Sequence, residues 1–364
     1  MKHLGNITAI DGKRVPSVDV VIGGSPCQDL SMAGKRQGLS GERSGLFLEQ
    51  IRIVKEMRRA DAERGSRGRF IRPRYMVWEN VVGAFSSNNG NDFRTAIEET
   101  AKIADPATVI PRPAKGEWDT NGCIVGDRWS IAYRVLDAQF WGVPQRRRRI
   151  ALVADFGGES APEILFVRKS VCGDIGPGEQ EGKTLAPGIG NGLDPENRID
   201  AAGFLPLAGA KAGSIGYQPE QAPTLTAGQK AAVLENYGSK SVRRLTELEC
   251  ERLQGFPDGW TDIGPWVDSK GRHHKESSAS ERYKALGNSI ALPPWTWVLK
   301  RLCACYEYPA TMASLFDGIG GFPLIWEQIN GLGSCLWASE IDEFAIAVTN
   351  YHFNQNTSGR REYR

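Results

Sequence analysis

Apolar residues gather first at Val18-Asp19-Val20-Val21-Ile22, a short β-branched run closed by Gly23-Gly24-Ser25-Pro26, which predicts a buried strand and a turn. From Gly45 to Arg59 the period changes, and Leu46, Phe47, Ile51, Val54 and Met57 fall on one helical face. Tyr75-Met76-Val77-Trp78, followed at once by Glu79-Asn80-Val81, and Ile150-Ala151-Leu152-Val153-Ala154 are further strand candidates. Strands alternating with helices predict an α/β fold with a mostly parallel sheet, whose ligands lie at the carboxyl ends of the strands. Beyond Phe156 the periodicity fades, and 15 of the 85 residues in 156–240 are glycine. A loop-rich second domain of short strands is expected there. Its faint repeat, Lys183–Gly188 against Pro223–Gly228, is too short for a solenoid. Helical spacing returns at Leu245, Leu248 and Leu253, with Thr246 as a candidate cap.

A second α/β signature follows. Met312–Phe316 predicts a strand, Asp317-Gly318-Ile319-Gly320-Gly321 a glycine turn, and a helix begins near Phe322-Pro323. Another strand candidate, Cys335–Ser339, runs into Glu340-Ile341-Asp342. Strand, glycine turn, helix, strand and acid is the layout of a nucleoside site, in which the acid accepts from ribose hydroxyls. The turn reads GxGG and not GxGxxG, which favours a cofactor without phosphates.

Composition narrows the classes. The 364 residues, 40% hydrophobic and 24% charged, suit a globular chain of about two domains. No apolar run approaches the ~18 residues of a membrane span, and Met1–Asn6 lacks the apolar region of a secretory signal. Seven cysteines without a CxxC pair point to a reducing compartment, with neither a disulfide framework nor a metal site. Four histidines without HExxH leave the zinc-protease and zinc-deaminase signatures incomplete. The net charge of +2 conceals nine Lys/Arg against three Asp/Glu in residues 52–74, and the run Arg146-Arg147-Arg148-Arg149. Such clusters fit a phosphate-rich partner or a solvated loop; charge alone does not choose.

Taken together the motifs are specific. Gly24-Ser25-Pro26-Cys27-Gln28, Glu79-Asn80-Val81, Gln145–Arg149, Arg252-Leu253-Gln254-Gly255-Phe256-Pro257 and Gly287-Asn288-Ser289 resemble the motif set of DNA cytosine-5 methyltransferases. Phe316-Asp317-Gly318-Ile319-Gly320-Gly321-Phe322 resembles their S-adenosylmethionine motif. The likeness spans nearly the whole chain except about 157–240. Its order is unusual, because the cofactor motif stands last, so the chain resembles a circularly permuted member joined through Tyr308–Thr311.

The resemblance implies an S-adenosylmethionine-dependent methyltransferase fold, Rossmann-like, with a smaller target-recognition domain. Domain boundaries follow as 1–155 (catalytic, first part), 156–280 (recognition) and 281–364 (catalytic, second part). Cys27 is implied as the nucleophile that adds to cytosine C6, activating C5 for methylation before elimination releases the enzyme. Glu79 is implied to hold N3 and the exocyclic amine, protonating N3. Arg149 would contact O2, and Arg147 would bind phosphate or brace the catalytic loop. Arg146 and Arg148 are expected to be solvated or phosphate-facing. The cofactor set carried over is Phe316, Asp317, Gly318, Gly320, Gly321, Glu340, Ile341, Asn6, Ile7, Pro26, Asn288 and Ser289. Asn6 stands where the family usually has Asp, which implies weaker but retained adenine recognition through its amide oxygen.

The implied partner is double-stranded DNA with base flipping, and the loop Gln28–Arg43 is the candidate that closes on it. Residues 156–240 carry seven Lys/Arg against ten Asp/Glu, an unpromising balance for a DNA-reading surface. Basic residues 52–74 are therefore expected to supply charge, or the domain is reduced. A restriction-modification, orphan or phage modification enzyme is expected, acting as a cytoplasmic monomer, with a cognate restriction endonuclease as a potential partner and no membrane association. Competing readings are an RNA cytosine methyltransferase, a non-catalytic DNA-binding relative and, remotely, a nicotinamide oxidoreductase.

Overall fold

In the computed structural model, residues 1–26, 45–113, 116–167, 202–204, 218–219, 221–227, 230–236 and 240–354 are described. An eight-stranded sheet dominates. Its strands are β1 (Lys2–His3), β2 (Val20–Gly23), β3 (Tyr75–Val81), β4 (Asn121–Gly126), β5 (Trp129–Asp137), β6 (Arg148–Asp155), β13 (Met312–Leu315) and β14 (Cys335–Ser339). Between them in sequence lie β7 (Ala202–Phe204), β8 (Gln218–Pro219), β9 (Ala232–Asn236), β10 (Lys240–Arg244), β11 (Trp266–Val267) and β12 (His273–His274). The large sheet runs β1-β14-β13-β2-β3-β6-β5-β4. From β1 to β3 every pairing is parallel, while β6, β5 and β4 attach antiparallel.

The strand alternation sorts the apolar side chains to two faces. Val21, Met76 and Trp78 point into one core with Phe47, Ile51 and Val54 of α1 (Leu46–Glu63) and Phe93 and Ile97 of α2 (Asn91–Ala101). Val20, Ile22 and Val77 point into the other, with residues of α3 (Ala161–Leu165), α4 (Glu247–Gln254), α5 (Ala279–Asn288), α6 (Leu292–Cys303), α7 (Gly321–Asn330) and α8 (Glu343–Phe353). Burial on both faces explains why the central strands read as continuous apolar runs.

The elements expected from periodicity are present with shifted ends. β3 continues through Glu79-Asn80-Val81, so Glu79 sits inside the strand and not after it. The expected cap at Thr246 is a capping box with Glu249, and α8 spans Glu343–Phe353. Between residues 202 and 244, β10-β9-β7-β8 form an antiparallel sheet of short strands. β1 continues the sheet beside β14, and the Met1 amine donates to Asn354 Oδ1 at 2.9 Å, just past α8.

Candidate active site at the carboxyl edge of the sheet

The carboxyl ends of β13, β14, β2 and β3 face the same edge, where most of the motif residues converge. After β2, Ser25 is fixed from two directions: the Trp78 indole donates to its Oγ at 2.9 Å, and Asn80 Nδ2 reaches the same oxygen at 3.2 Å. A side chain at Gly24 would stand 3.2 Å from Glu79 Oε2, so this glycine lets the backbone lie against the carboxylate. Cys27 and the candidate closing loop Gln28–Arg43 lie outside the described residues.

Glu79 and Arg149 form the polar centre of this edge. Arg149 Nε lies 2.9 Å from Glu79 Oε1, and the two side chains are only 17% and 12% exposed. The sequence places both residues at the reaction centre from separate motifs, and the fold joins them.

Arg147 has another place. It is 3% exposed, which removes it from phosphate contact. Its guanidinium donates to the carbonyls of Leu225 (3.0 Å), Gly287 (3.4 Å) and Ser289. It thus ties β6 to the 221–227 segment and to the Gly287-Asn288-Ser289 motif. The close approach of these parts also requires Gly287, where a Cβ would fall 2.4 Å from the Ala227 nitrogen. Arg146 and Arg148 are exposed, as expected for the alternating positions.

The glycine turn divides its labour. Phe316 (φ +55°), Gly318 (φ +57°) and Gly320 (φ +80°) all take positive φ. For Phe316 that conformation costs ~1–2 kcal/mol, the kind of strain that collects at functional turns. Only at Gly318 does a side-chain direction open into free space; at Gly320 a Cβ would meet Phe353 at 2.7 Å and at Gly321 it would meet Ile290 at 2.9 Å. Gly320 and Gly321 are therefore packing glycines, against the expectation that they admit a ligand.

Glu340 fastens this turn. Its Oε2 accepts from the Gly318 N–H at 2.7 Å, and Oε1 accepts from Ile341 and Asp342 at 2.7 and 2.9 Å. Carboxylate oxygens have lone pairs to spare for ribose hydroxyls. Asp317 is buried, accepts from Ser314 Oγ at 2.5 Å, and leaves Oδ2 without a partner among the described residues. Burial, opposed by the Ser314 hydrogen bond and reinforced by Glu340, pushes its carboxyl up to about 8.

Three expected cofactor residues need correction or refinement. Ile7 packs into the α1 core and not into a pocket. Asn6 is exposed at the right edge, but its amide oxygen already accepts from Thr8 N (3.1 Å) and Oγ1 (3.0 Å), which conflicts with a free acceptor for adenine. Of the helix-end pair, Asn288 is exposed while Ser289 is buried. Ile341, by contrast, presents an apolar side chain that is 70% exposed beside Glu340.

Basic segment 52–74 is also misplaced for the expected role. Arg52, Lys55, Arg59, Arg64 and Arg74 pair with nearby carboxylates, and Arg58 donates to the carbonyls of Ile71 and Pro73. Residues 64–74 lie at the amino ends of the strands, away from Glu79.

Two further residues complete the scaffold, Trp260 outside every quoted motif and Gln254 within one. Trp260 donates to the Ile319 carbonyl in the glycine turn at 2.8 Å and stacks on His352. Gln254, buried in the RLQGFP motif, donates to the Leu286 carbonyl at 3.0 Å. No local pattern marks Trp260, because its partner lies 59 residues away.

The chain matches the family described as C-5 cytosine-specific DNA methylase over residues 1–104, 192–303 and 310–362, which together make up most of it. It belongs to that family. Among curated relatives, it is 28% identical to the DNA N-6-adenine-methyltransferase of Escherichia phage P1, an alignment covering 82% of this chain and 55% of that protein. It is 26% identical to the type II methyltransferase M2.BsuMI of Bacillus subtilis strain 168, over 84% of this chain and 64% of the other. The chain thus spans between half and two thirds of these relatives' lengths. Solved structures with a loose likeness include S. pombe Dnmt2 methyltransferase (TM-score 0.44, 16% identity, 83% of this chain and 84% of that one). Entamoeba histolytica methyltransferase EhMeth is similar at TM-score 0.46 and 12% identity, covering 83% and 82%.

A nucleoside-bearing methyl donor fits the turn. Open space at Gly318, the exposed face of Ile341, the lone pairs of Glu340 and the orphaned Asp317 oxygen offer room, one apolar face and two polar features at one strand edge.

Proposed function

We propose that this chain methylates C5 of cytosine in duplex DNA, with Cys27 as nucleophile. One observation carries the reading: the Glu79–Arg149 pair matches the hydrogen-bonding edge of cytosine. A protonated Glu79 donates to N3 and its carbonyl oxygen accepts from the exocyclic amine, while Arg149 donates to O2. Adenine has no oxygen at the equivalent position, so the arginine would face a C–H. The activity by which the phage P1 relative is named favours adenine N6 as the second reading, and the identity of the methylated base separates the two.

In the proposed reaction the Cys27 thiolate adds to C6 as Glu79 protonates N3, leaving C5 electron-rich. S-adenosylmethionine, held by Phe316, Gly318, Glu340 and Ile341, supplies the electrophilic methyl when bound. Loss of the C5 proton to a base then expels the Cys27 thiolate, and N3 returns its proton to Glu79, which restores the ring. Within this reading Pro26 stiffens the turn ahead of Cys27, Ser25 anchors it, and Arg147 braces the recognition segment. The target base must leave the duplex to reach this edge.

Residues 1–155, 156–280 and 281–364 then serve as first catalytic part, recognition domain and second catalytic part. A circularly permuted order is supported by β13, which follows the Gly287-Asn288-Ser289 motif in sequence yet pairs parallel with β2. Among the described residues no helix is long and apolar enough to cross a membrane. A monomer in a bacterial or phage-infected cell, as part of a modification system, is the setting proposed.

The deciding experiment is methyl transfer from labelled S-adenosylmethionine to mixed-sequence duplex DNA and to RNA, beside Cys27→Ala, with products sequenced at base resolution. Label on cytosine C5 of DNA that disappears in the variant supports the proposal. Label on adenine or on RNA alone overturns it.

A further inference from the structure

A second cavity, of about 400 Å³, opens at the amino ends of β2 and β3, the end of the sheet opposite the glycine turn. Its size falls within the ~300–1,000 Å³ of small-ligand sites. The loop between α1 and β3 brings Arg69, Phe70, Arg72 and Arg74 to it, and the connection from α6 to β13 brings Tyr306, Glu307 and Tyr308.

The charges here are not equally available. Arg74 is held by Asp155 through two 2.9 Å hydrogen bonds. Asp19, on the same cavity, is saturated: Thr311 N and Oγ1 donate to Oδ2 at 2.8 Å, and Tyr308 donates to Oδ1 at 3.0 Å. No carboxylate among the described residues forms an ion pair with Arg69 or Arg72, whereas five of the seven other basic side chains in 52–74 have one; Asp61, which accepts from the Arg72 N–H at 2.9 Å, lies within electrostatic range of Arg72. Beside these two guanidiniums stand large rings open to solvent, Phe70 at 68% and Tyr308 at 55% exposure. The Tyr308 ring is fixed from behind by an edge-to-face series, with Tyr306 5.4 Å away and Tyr75 a further 5.7 Å.

We propose that this cavity binds a nucleotide. Arginines held in no ion pair suit its phosphate, the exposed Tyr308 ring and the Phe70 face opposite the Arg69 guanidinium, which lies 5.1 Å from that ring's centre, suit stacking of its base, and the exposed Glu307 carboxylate accepts from a base amine or a ribose hydroxyl. An acidic peptide would satisfy the arginines and leave the rings uncovered; an uncharged aromatic would do the reverse. The shared chemistry covers a free nucleotide and a nucleotide within a single strand. The site is separate from the glycine turn by the length of the strands, and it depends on the α6–β13 connection for half of its lining.

The test is calorimetric titration of the full chain saturated with S-adenosylhomocysteine, which keeps added nucleotides away from the glycine turn. The titrants are dAMP, deoxyadenosine, inorganic phosphate and a short single-stranded oligonucleotide. Binding of dAMP is expected, with deoxyadenosine and phosphate each at least about tenfold weaker. Arg69→Ala and Arg72→Ala should each weaken dAMP about tenfold or more, the scale of a lost charge-assisted hydrogen bond, with melting temperature unchanged. An oligonucleotide that binds more tightly than dAMP and is lost in the same variants assigns the strand as source; one that binds no better assigns the free nucleotide. Absence of dAMP binding at millimolar concentration, or binding unchanged in both variants, overturns the proposal.

Discussion

Glu79 on β3 and Arg149 on β6 meet at 2.9 Å as diagonal neighbours of one antiparallel ladder. Val81 is opposite Arg149 and Glu79 is opposite Ala151, so both side chains leave the same face; a register slip of one residue would send Arg149 to the other. Partial burial makes each group depend on the other.

Glu79→Gln keeps the shape and one acceptor but cannot protonate N3. Methyl transfer should fall by about 10²–10⁴, the range of a lost general acid, while S-adenosylmethionine affinity stays within twofold of the parent. Single-turnover transfer and calorimetry read the two quantities separately. Loss of cofactor binding in step with transfer would mean that Glu79 supports the fold and not the chemistry.

Arg147 makes a contrasting prediction, because its guanidinium reaches three carbonyls from two other segments. Arg147→Met strands those acceptors in a buried place, each at about 1–3 kcal/mol, so urea denaturation should show a loss of about 3 kcal/mol or more. Arg147→Lys should recover little, since an ammonium cannot bridge the same three oxygens. A variant as stable as the parent would remove Arg147 from the junction between 221–227 and the helix end.

Much of this arrangement was legible in the linear chain, for reasons that differ by element. β2, β13 and β14 carry unbroken apolar runs because both faces are covered, and α8 shows its bounds through Asp342, which caps it by accepting from Ala345. The β4–β5 hairpin gave no such sign: β4 alternates exposed with half-buried positions, and the turn places Arg128 at φ +60° where glycine would have marked it. Charge misled for a physical reason. A run of arginines reads as a surface for phosphate, yet Arg52, Arg59 and Arg64 pair with α1 carboxylates at helical spacing, and Lys55 and Arg74 pair with Glu99 and Asp155. At the site, Glu79 and Arg149 could each be named from a motif, whereas Trp260 and the packing duties of Gly320 and Gly321 depend on contacts made only in three dimensions.

Asp317 introduces a pH dependence. An unfolded aspartate titrates near 3.9, and burial holds the folded carboxyl at about 8. The folded state therefore binds the proton more tightly. This contribution to stability is fully present below about pH 4 and is lost as pH rises through about 8. Denaturation midpoints measured from about pH 5 to 9 should decline, and Asp317→Asn should flatten that decline. An unchanged slope in the variant would assign the dependence to other groups.

Gly318 and Gly320 should respond differently to the same methyl group. Both take positive φ, so alanine at either costs about 1 kcal/mol of backbone strain. At Gly320 the added Cβ also meets Phe353 at 2.7 Å and Thr349 at 3.0 Å, inside the packing of α7 on α8. Gly320→Ala should accordingly destabilise the chain by about 1–3 kcal/mol more, the usual cost of overpacking. At Gly318 the methyl enters open space beside the amide that Glu340 holds. Gly318→Ala should melt close to the parent yet weaken S-adenosylmethionine several-fold, because the methyl occupies volume assigned to the ligand. Equal cofactor affinity in Gly318→Ala would place the ligand elsewhere along this edge.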